Sequence, residues 1–133
     1  MNLNPTEEEI NFVNNALAKF NDDKVGPDTH VLLNIVEYDE NHNVIACILG
    51  GTYWGWMHID ILWVDEKYRK QGLGSKLLET AESEAKKRGC HSVHVDTMSW
   101  QAPEFYKKHG YKIISELNDI PEGNKKFHLI KDL

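Results

Sequence analysis

Residues Tyr68-Arg69-Lys70-Gln71-Gly72-Leu73-Gly74-Ser75-Lys76-Leu77-Leu78 form a basic, glycine-punctuated turn that runs into an amphipathic helical pattern. The apolar run 59–64 ahead of it reads as a buried strand, so the local order is strand, basic turn, helix. That order builds an anion site on backbone amides. Glycines let the main chain approach a ligand closely, and the first N–H groups of a helix point outward at the positive end of its dipole. A phosphate-bearing ligand is the expected guest. Lys67, Arg69, Lys70 and Lys76 add a positive island beside Glu66.

Beyond the turn, Leu73, Leu77, Ala81 and Ala85 recur every four residues with Leu78 beside them, a core-facing stripe that Gly89 closes. Glu82 with Lys86, and Glu84 with Arg88, stand at i,i+4 and are expected as exposed pairs. Residues 91–97 follow as a strand with Val93 and Val95 inward. A short helix starting between Ser99 and Pro103 carries Phe105 and Tyr106 and ends at Gly110. Residues 111–117 and 126–130 are the last strands, joined by the loop 118–125.

Upstream, residues 57–64 read as a strand with Met57, Ile59, Ile61 and Trp63 on the core face and His58, Asp60, Leu62 and Val64 on a face that partly lines a cleft. Residues 31–38 and 44–52 pair as a hairpin across the polar turn 39–43, and Gly50-Gly51 predicts a bulge or a close backbone approach. Asn4 with Pro5, and Thr6 with Glu9, are overlapping helix-start signals. Ile10, Val13, Ala16, Leu17 and Phe20 then recur at helical spacing, which predicts a helix laid on the core and ending near residues 21–23.

The order is therefore αβββαβαββ. A helix between two central strands implies a right-handed crossover and one parallel pair, and the hairpins make the other pairings antiparallel. The predicted class is α/β (α+β), a mixed, mostly antiparallel sheet with helices on both faces. The 133 residues fit one domain. A net charge of -6 disfavours duplex nucleic acid as a partner. Cys47 and Cys90 lack metal or redox spacing and read as reduced thiols, and no stretch suits a signal peptide or a membrane span, so a soluble cytoplasmic protein is expected. His91 and His94 alternate across a strand, so they do not share a metal. Trp54, Trp56 and Trp100 are candidates for the walls of a substrate pocket, although aromatics at turns usually pack on the edge of a core, which is the favoured reading.

At this point two motifs carry a family resemblance. Arg69-Lys70-Gln71-Gly72-Leu73-Gly74 follows the pattern Arg/Gln-x-x-Gly-x-Gly/Ala between a strand and a helix. Residues 99–111, with Ala102, Phe105-Tyr106 and Gly110-Tyr111, follow Asn-x-x-Ala-x-x-Phe-Tyr-x-x-x-Gly-Phe/Tyr, with Ser99 in place of the Asn. From about Val31 onward the chain resembles the GCN5-related N-acetyltransferase (GNAT) family. The resemblance implies acetyl-coenzyme A (acetyl-CoA) as cofactor and acetyl transfer to a primary amine of a small molecule or a peptide, by direct attack in a ternary complex.

It also implies roles. Arg69 and the amides of Lys70, Gln71, Gly72, Leu73, Gly74 and Ser75 would hold the pyrophosphate. Leu62, Trp63 and Val64 would pair with the pantetheine arm in a slot where residues 57–64 splay from residues 91–97. The amide of Trp63 or Val64 would stabilise the oxyanion, and Ser99 would stand near the pantetheine or the amine. Tyr106 occupies the position of the general acid, and the base is Asp60 or His58. The resemblance leaves open a catalytically weak acyl-CoA-binding regulatory module and a protein N-terminal or lysine acetyltransferase. The short segment before the first helix leaves no room for the family's usual first strand, which opens a sheet edge to solvent or to a second subunit of a homodimer.

Overall fold

The computed structural model describes residues 1–133. Helix α1 (Glu7–Val25) precedes strands β1 (Val31–Tyr38), β2 (Val44–Tyr53) and β3 (Trp56–Val64). A single 3-10 turn leads to α2 (Leu73–Lys87), followed by β4 (Ser92–Met98), α3 (Pro103–Lys108), β5 (Lys112–Asn118) and β6 (Lys125–Asp132). The six strands form one sheet in the order β1-β2-β3-β4-β6-β5, antiparallel except for the β3–β4 pair. That pair is parallel because α2 carries the chain back across the sheet between them.

One face of the sheet is covered. Leu77, Leu78, Ala81 and Ala85 of α2 and Tyr106 of α3 pack with Leu33, Ala46, Ile48, Met57, Ile59, Val93, Val95 and Leu129 as a buried core. The i, i+4 stripe of α2 meets the inward alternation of the strands, as their periodicities require. Glu82 is the exception on that stripe. It is buried, accepts from the Tyr111 hydroxyl at 2.8 Å and pairs with Lys131 Nζ at 2.8 Å, whereas Glu84–Arg88 is the i,i+4 pair that forms, at 3.0 Å. The expected Glu82–Lys86 surface pair gives way to strand residues that reach a buried carboxylate and satisfy it.

The opposite face is different. The predicted capping box of α1 is present, with Thr6 and Glu9 exchanging both bonds, but the helix buries no residue. Ile10, Val13, Leu17 and Phe20, expected on the core, are all exposed. Helical periodicity specifies a stripe without specifying what covers it.

A bulge corrects the two faces of β3. Ile61 lies opposite Leu49 and Ile59 opposite Gly50, so Asp60 is an extra residue in β3. The alternation reverses there: Met57, Ile59, Leu62 and Val64 pack toward the core, while Ile61 and Trp63 are exposed on the other face. Gly50 is required at this point because a Cβ would collide with the His58 carbonyl, and at Gly51 a Cβ would lie 2.8 Å from the His30 and His58 rings. The paired glycines thus mark both a bulge and a close approach.

Candidate active site

The bulge also shapes the cleft. Strands β3 and β4 pair only from Trp56–Ser92 to Ile59–Val95, and beyond that register they part. The gap is a cleft of about 600 Å³ with Leu62, Val64 and Gly74 on one side and Thr97, Gln101 and Tyr106 on the other. From Asp60 to Val64 one edge of β3 therefore has no strand partner. Asp65 N–H donates to Ile45 C=O on β2, so by alternation the backbone of Trp63 faces β2 and that of Leu62 and Val64 faces the cleft. Arg69 Nε donates to Val64 C=O at 3.1 Å, which ties the basic turn to this free edge.

The turn itself is a set of unused donors. None of the amides of Lys70, Gln71, Gly72, Leu73, Gly74 and Ser75 donates to another group of the chain; the first bond of α2 runs from Lys76 N–H to Gly72 C=O at 3.0 Å. Lys70 and Gly72 adopt left-handed φ of 61° and 81°, which coils the backbone so that consecutive N–H groups converge. A diphosphate needs such a nest. Phe105 packs against Gly74, with Val64 beside it, and so joins the turn to α3.

Tyr106 is 4% exposed and lines the cleft. Burial, with a smaller effect of Asp96, raises its phenol to about 12, so it stays protonated and can only donate. His58 and Asp60 come together as Nε2 and Oδ2 at 3.7 Å. The His58 ring is stacked between His30 at 5.2 Å and His94 at 6.0 Å, and its Nδ1 is buried without a partner. Parallel register places His94 beside His58, and burial, with His58 next in importance, holds His94 below the usual histidine range. Asp60 and Asp96 border both the cleft and a smaller recess with Tyr53, His58 and His94. Tyr53 and His94 border in turn a cup of about 550 Å³ walled by Trp54, Trp56, Ile114 and His128. The three spaces adjoin one another through these shared walls, in the order cleft, recess, cup.

Some residues fall elsewhere than expected. Ser99 does not line the cleft: its hydroxyl accepts from Lys125 N–H at 3.1 Å and lies 3.5 Å from Asn124 Oδ1. Gln101 and Thr97 organise the β4–α3 turn instead, through Met98 N–H to Gln101 Oε1 at 2.9 Å and Ala102 N–H to Thr97 Oγ1 at 3.2 Å. Trp54 and Trp100 are exposed walls of the cup and the cleft rather than edges of the core. Asp96, His94 and His128 gather here through strand register, which no local motif announces.

Comparison with known proteins agrees with the fold. The family model described as "Acetyltransferase (GNAT) family" matches residues 3–111. The chain is 40% identical over 95 residues to a blasticidin-S acetyltransferase of Streptomyces morookaense, covering 71% of this chain and 70% of the relative. It is 33% identical over 111 residues to an acetyltransferase of Agrobacterium fabrum, covering 84% and 81%. A crystal structure of an acetyltransferase from Bacillus cereus superposes with TM-score 0.93 at 34% identity, over 100% of this chain and 97% of that one. The chain belongs to the GNAT family of acetyl-CoA-dependent N-acetyltransferases.

Proposed function

We propose that the protein transfers the acetyl group of acetyl-CoA to a primary amine of a small cationic molecule, by direct attack with both substrates bound. The observation that carries this reading is the succession of six unused amides, the free edge of β3 with Tyr106 across the cleft, and an adjoining acidic recess and aromatic cup. The turn holds the pyrophosphate, and Leu62 and Val64 pair with the pantetheine arm. Acetyl-CoA supplies an acyl group activated as a thioester. The Val64 or Leu62 amide polarises the carbonyl oxygen, because these are the amides aimed into the cleft.

Asp60 and Asp96 attract the ammonium, and the Asp60–His58 pair takes its proton, directly or through water. Tyr106 hydrogen-bonds the departing sulfur. Its phenol at about 12 is a weaker acid than a thiol near 8.5, so it stabilises the thiolate by donation and need not surrender its proton. The cup's Tyr53, Trp54 and Trp56 suit a planar or cationic acceptor. The relative named for blasticidin S supports a small-molecule acceptor over a peptide.

The test is release of coenzyme A thiol with a panel of aminonucleosides, aminoglycosides, simple amines and peptides. Amine-dependent release is expected for small cationic members and a roughly 100-fold fall in kcat/KM for Asp60→Asn. Tight coenzyme A binding with no amine-dependent release across the panel would instead mark a binding module.

A further inference from the structure

We infer that the chain works as a reciprocal homodimer in which α1 of each copy lies over the β1–β3 part of the uncovered sheet face of the other. This goes beyond the proposed chemistry and stands without it. Three observations meet here. The first is the helix: α1 is 19 residues long and buries nothing, although Ile10, Val13, Leu17 and Phe20 form one apolar stripe and are 47%, 62%, 59% and 58% exposed. An isolated helix of this length is marginal in water, and its stability ordinarily comes from packing that stripe.

The second is the sheet. Strand register puts Leu32 and Val36 of β1, Cys47 and Leu49 of β2, and Ile61 and Trp63 of β3 on the face opposite α2. Leu32, Ile61 and Trp63 are 64%, 49% and 40% exposed. This β1–β3 part of the face is apolar enough to need a second layer, whereas the β4 and β6 part carries His94, Asp96 and His128. The apolar residues lie on three neighbouring strands, about 10 Å from the first to the last, and helix α1, about 28 Å long, can cover them without reaching over β4 and β6, where His94, Asp96 and His128 line the recess and the cup. The helix departs from the same side of the body: Leu17, Ala18 and Asp22 share a shallow groove with Asp28, His30 and Trp54. Gly26, at φ 89°, is the joint between arm and body.

The third is area. A compact monomer of 15.4 kDa exposes about 7,200 Å². This chain exposes 9482 Å² and buries only 21 of its 133 residues. The excess, about 2,300 Å² per chain, exceeds the ~800 Å² per partner of a standard interface and falls within the obligate range. The occupant is a second copy because the chain carries both halves of the contact, a stripe without a sheet and a sheet without a stripe. Exchanging them makes two identical contacts related by a two-fold axis, which closes the assembly.

Sedimentation equilibrium of the full chain at micromolar concentration tests this. The expected mass is twice 15.4 kDa. Val13→Glu with Leu17→Glu, two positions that are exposed in the single chain, is expected to weaken association at least about 100-fold while core circular dichroism is retained. Leu32→Glu on the sheet face is expected to do the same. Hydrogen exchange on the unaltered protein gives a readout that needs no variant: α1 amides should be protected like those of α2. A native monomer, unprotected α1 amides or a dimer that survives the helix substitutions overturns the inference. A dimer broken by the helix substitutions but indifferent to Leu32→Glu overturns the placement on the sheet, since the helices would then pair with each other.

Discussion

Replacing Tyr106 by Phe separates chemistry from packing more cleanly than any other change in this site. The ring is retained, so no cavity opens in the core around Tyr111 and α2. The phenol oxygen is bonded to no other group of the chain and is not sealed from the cleft, His58 Nδ1 being the one buried side-chain nitrogen or oxygen without a partner. Its removal therefore orphans nothing, and stability should change by less than about 0.5 kcal/mol. On the proposed mechanism, what is lost is a hydrogen bond to a sulfur that gains negative charge only as the thioester breaks. Hydrogen bonds to charged groups contribute about 1.5–3 kcal/mol, so kcat should fall roughly 10- to 150-fold. Coenzyme A affinity should hold, because the bond matters in the transition state and not in the ground state. The assay is single-turnover thiol release, with calorimetric binding of coenzyme A and a thermal melt on the same sample. Unchanged single-turnover rates refute the role. So does a tenfold loss of coenzyme A affinity, which would make Tyr106 a wall of the binding site rather than a donor to the leaving group.

The remaining predictions address other parts of the structure. Because the Tyr106 phenol is raised to about 12 by burial, the protonated donor persists across the working range, and kcat/KM should show no alkaline fall below about pH 10; a falling limb near pH 9 that disappears in Tyr106→Phe contradicts this. Gly72→Val forces a β-branched residue into a left-handed φ of 81°, where no neighbour crowds the new Cβ. Fold stability should drop by only about 1–2 kcal/mol, while the amide nest distorts and coenzyme A affinity falls at least tenfold; retained affinity removes the turn from pyrophosphate binding. Glu82→Gln removes the charge facing Lys131 but leaves an acceptor for Tyr111. A cost of about 1–3 kcal/mol, or a melting shift of roughly 4–11 °C, is expected at neutral pH, and an unchanged melt shows that water already satisfies the pair.

Several elements were legible in the sequence because their causes are local. Thr6 and Glu9 cap α1 across three residues, and the Gly72 turn needs only its own φ and the helix that follows. The parallel β3–β4 pair follows from a helix placed between two strands. Non-local contacts decided the rest. Asp60 reads as one more alternating residue, yet its place opposite the Leu49–Gly50 step of β2 makes it a bulge and turns Ile61 and Trp63 away from the core. Glu82 reads as a surface charge until Tyr111 and Lys131, 29 and 49 residues away, reach it. The Ser99 position follows a motif, but pairing with β6 directs its hydroxyl to Asn124 and Lys125.

Sequence alone determined that this chain builds a glycine turn with free amides between a strand and a helix, because glycine conformation, helix dipole and amide geometry all act within a few residues. Tertiary structure alone decided what lies at the far end of that site. The recess of His58, Asp60, His94 and Asp96 exists because two strands run in parallel register as far as Ile59 and Val95 and then separate. The bare stripe of α1 and the bare face of the sheet are likewise visible only in three dimensions. Periodicity records that a surface is apolar, and only the packed chain shows that nothing within it covers that surface.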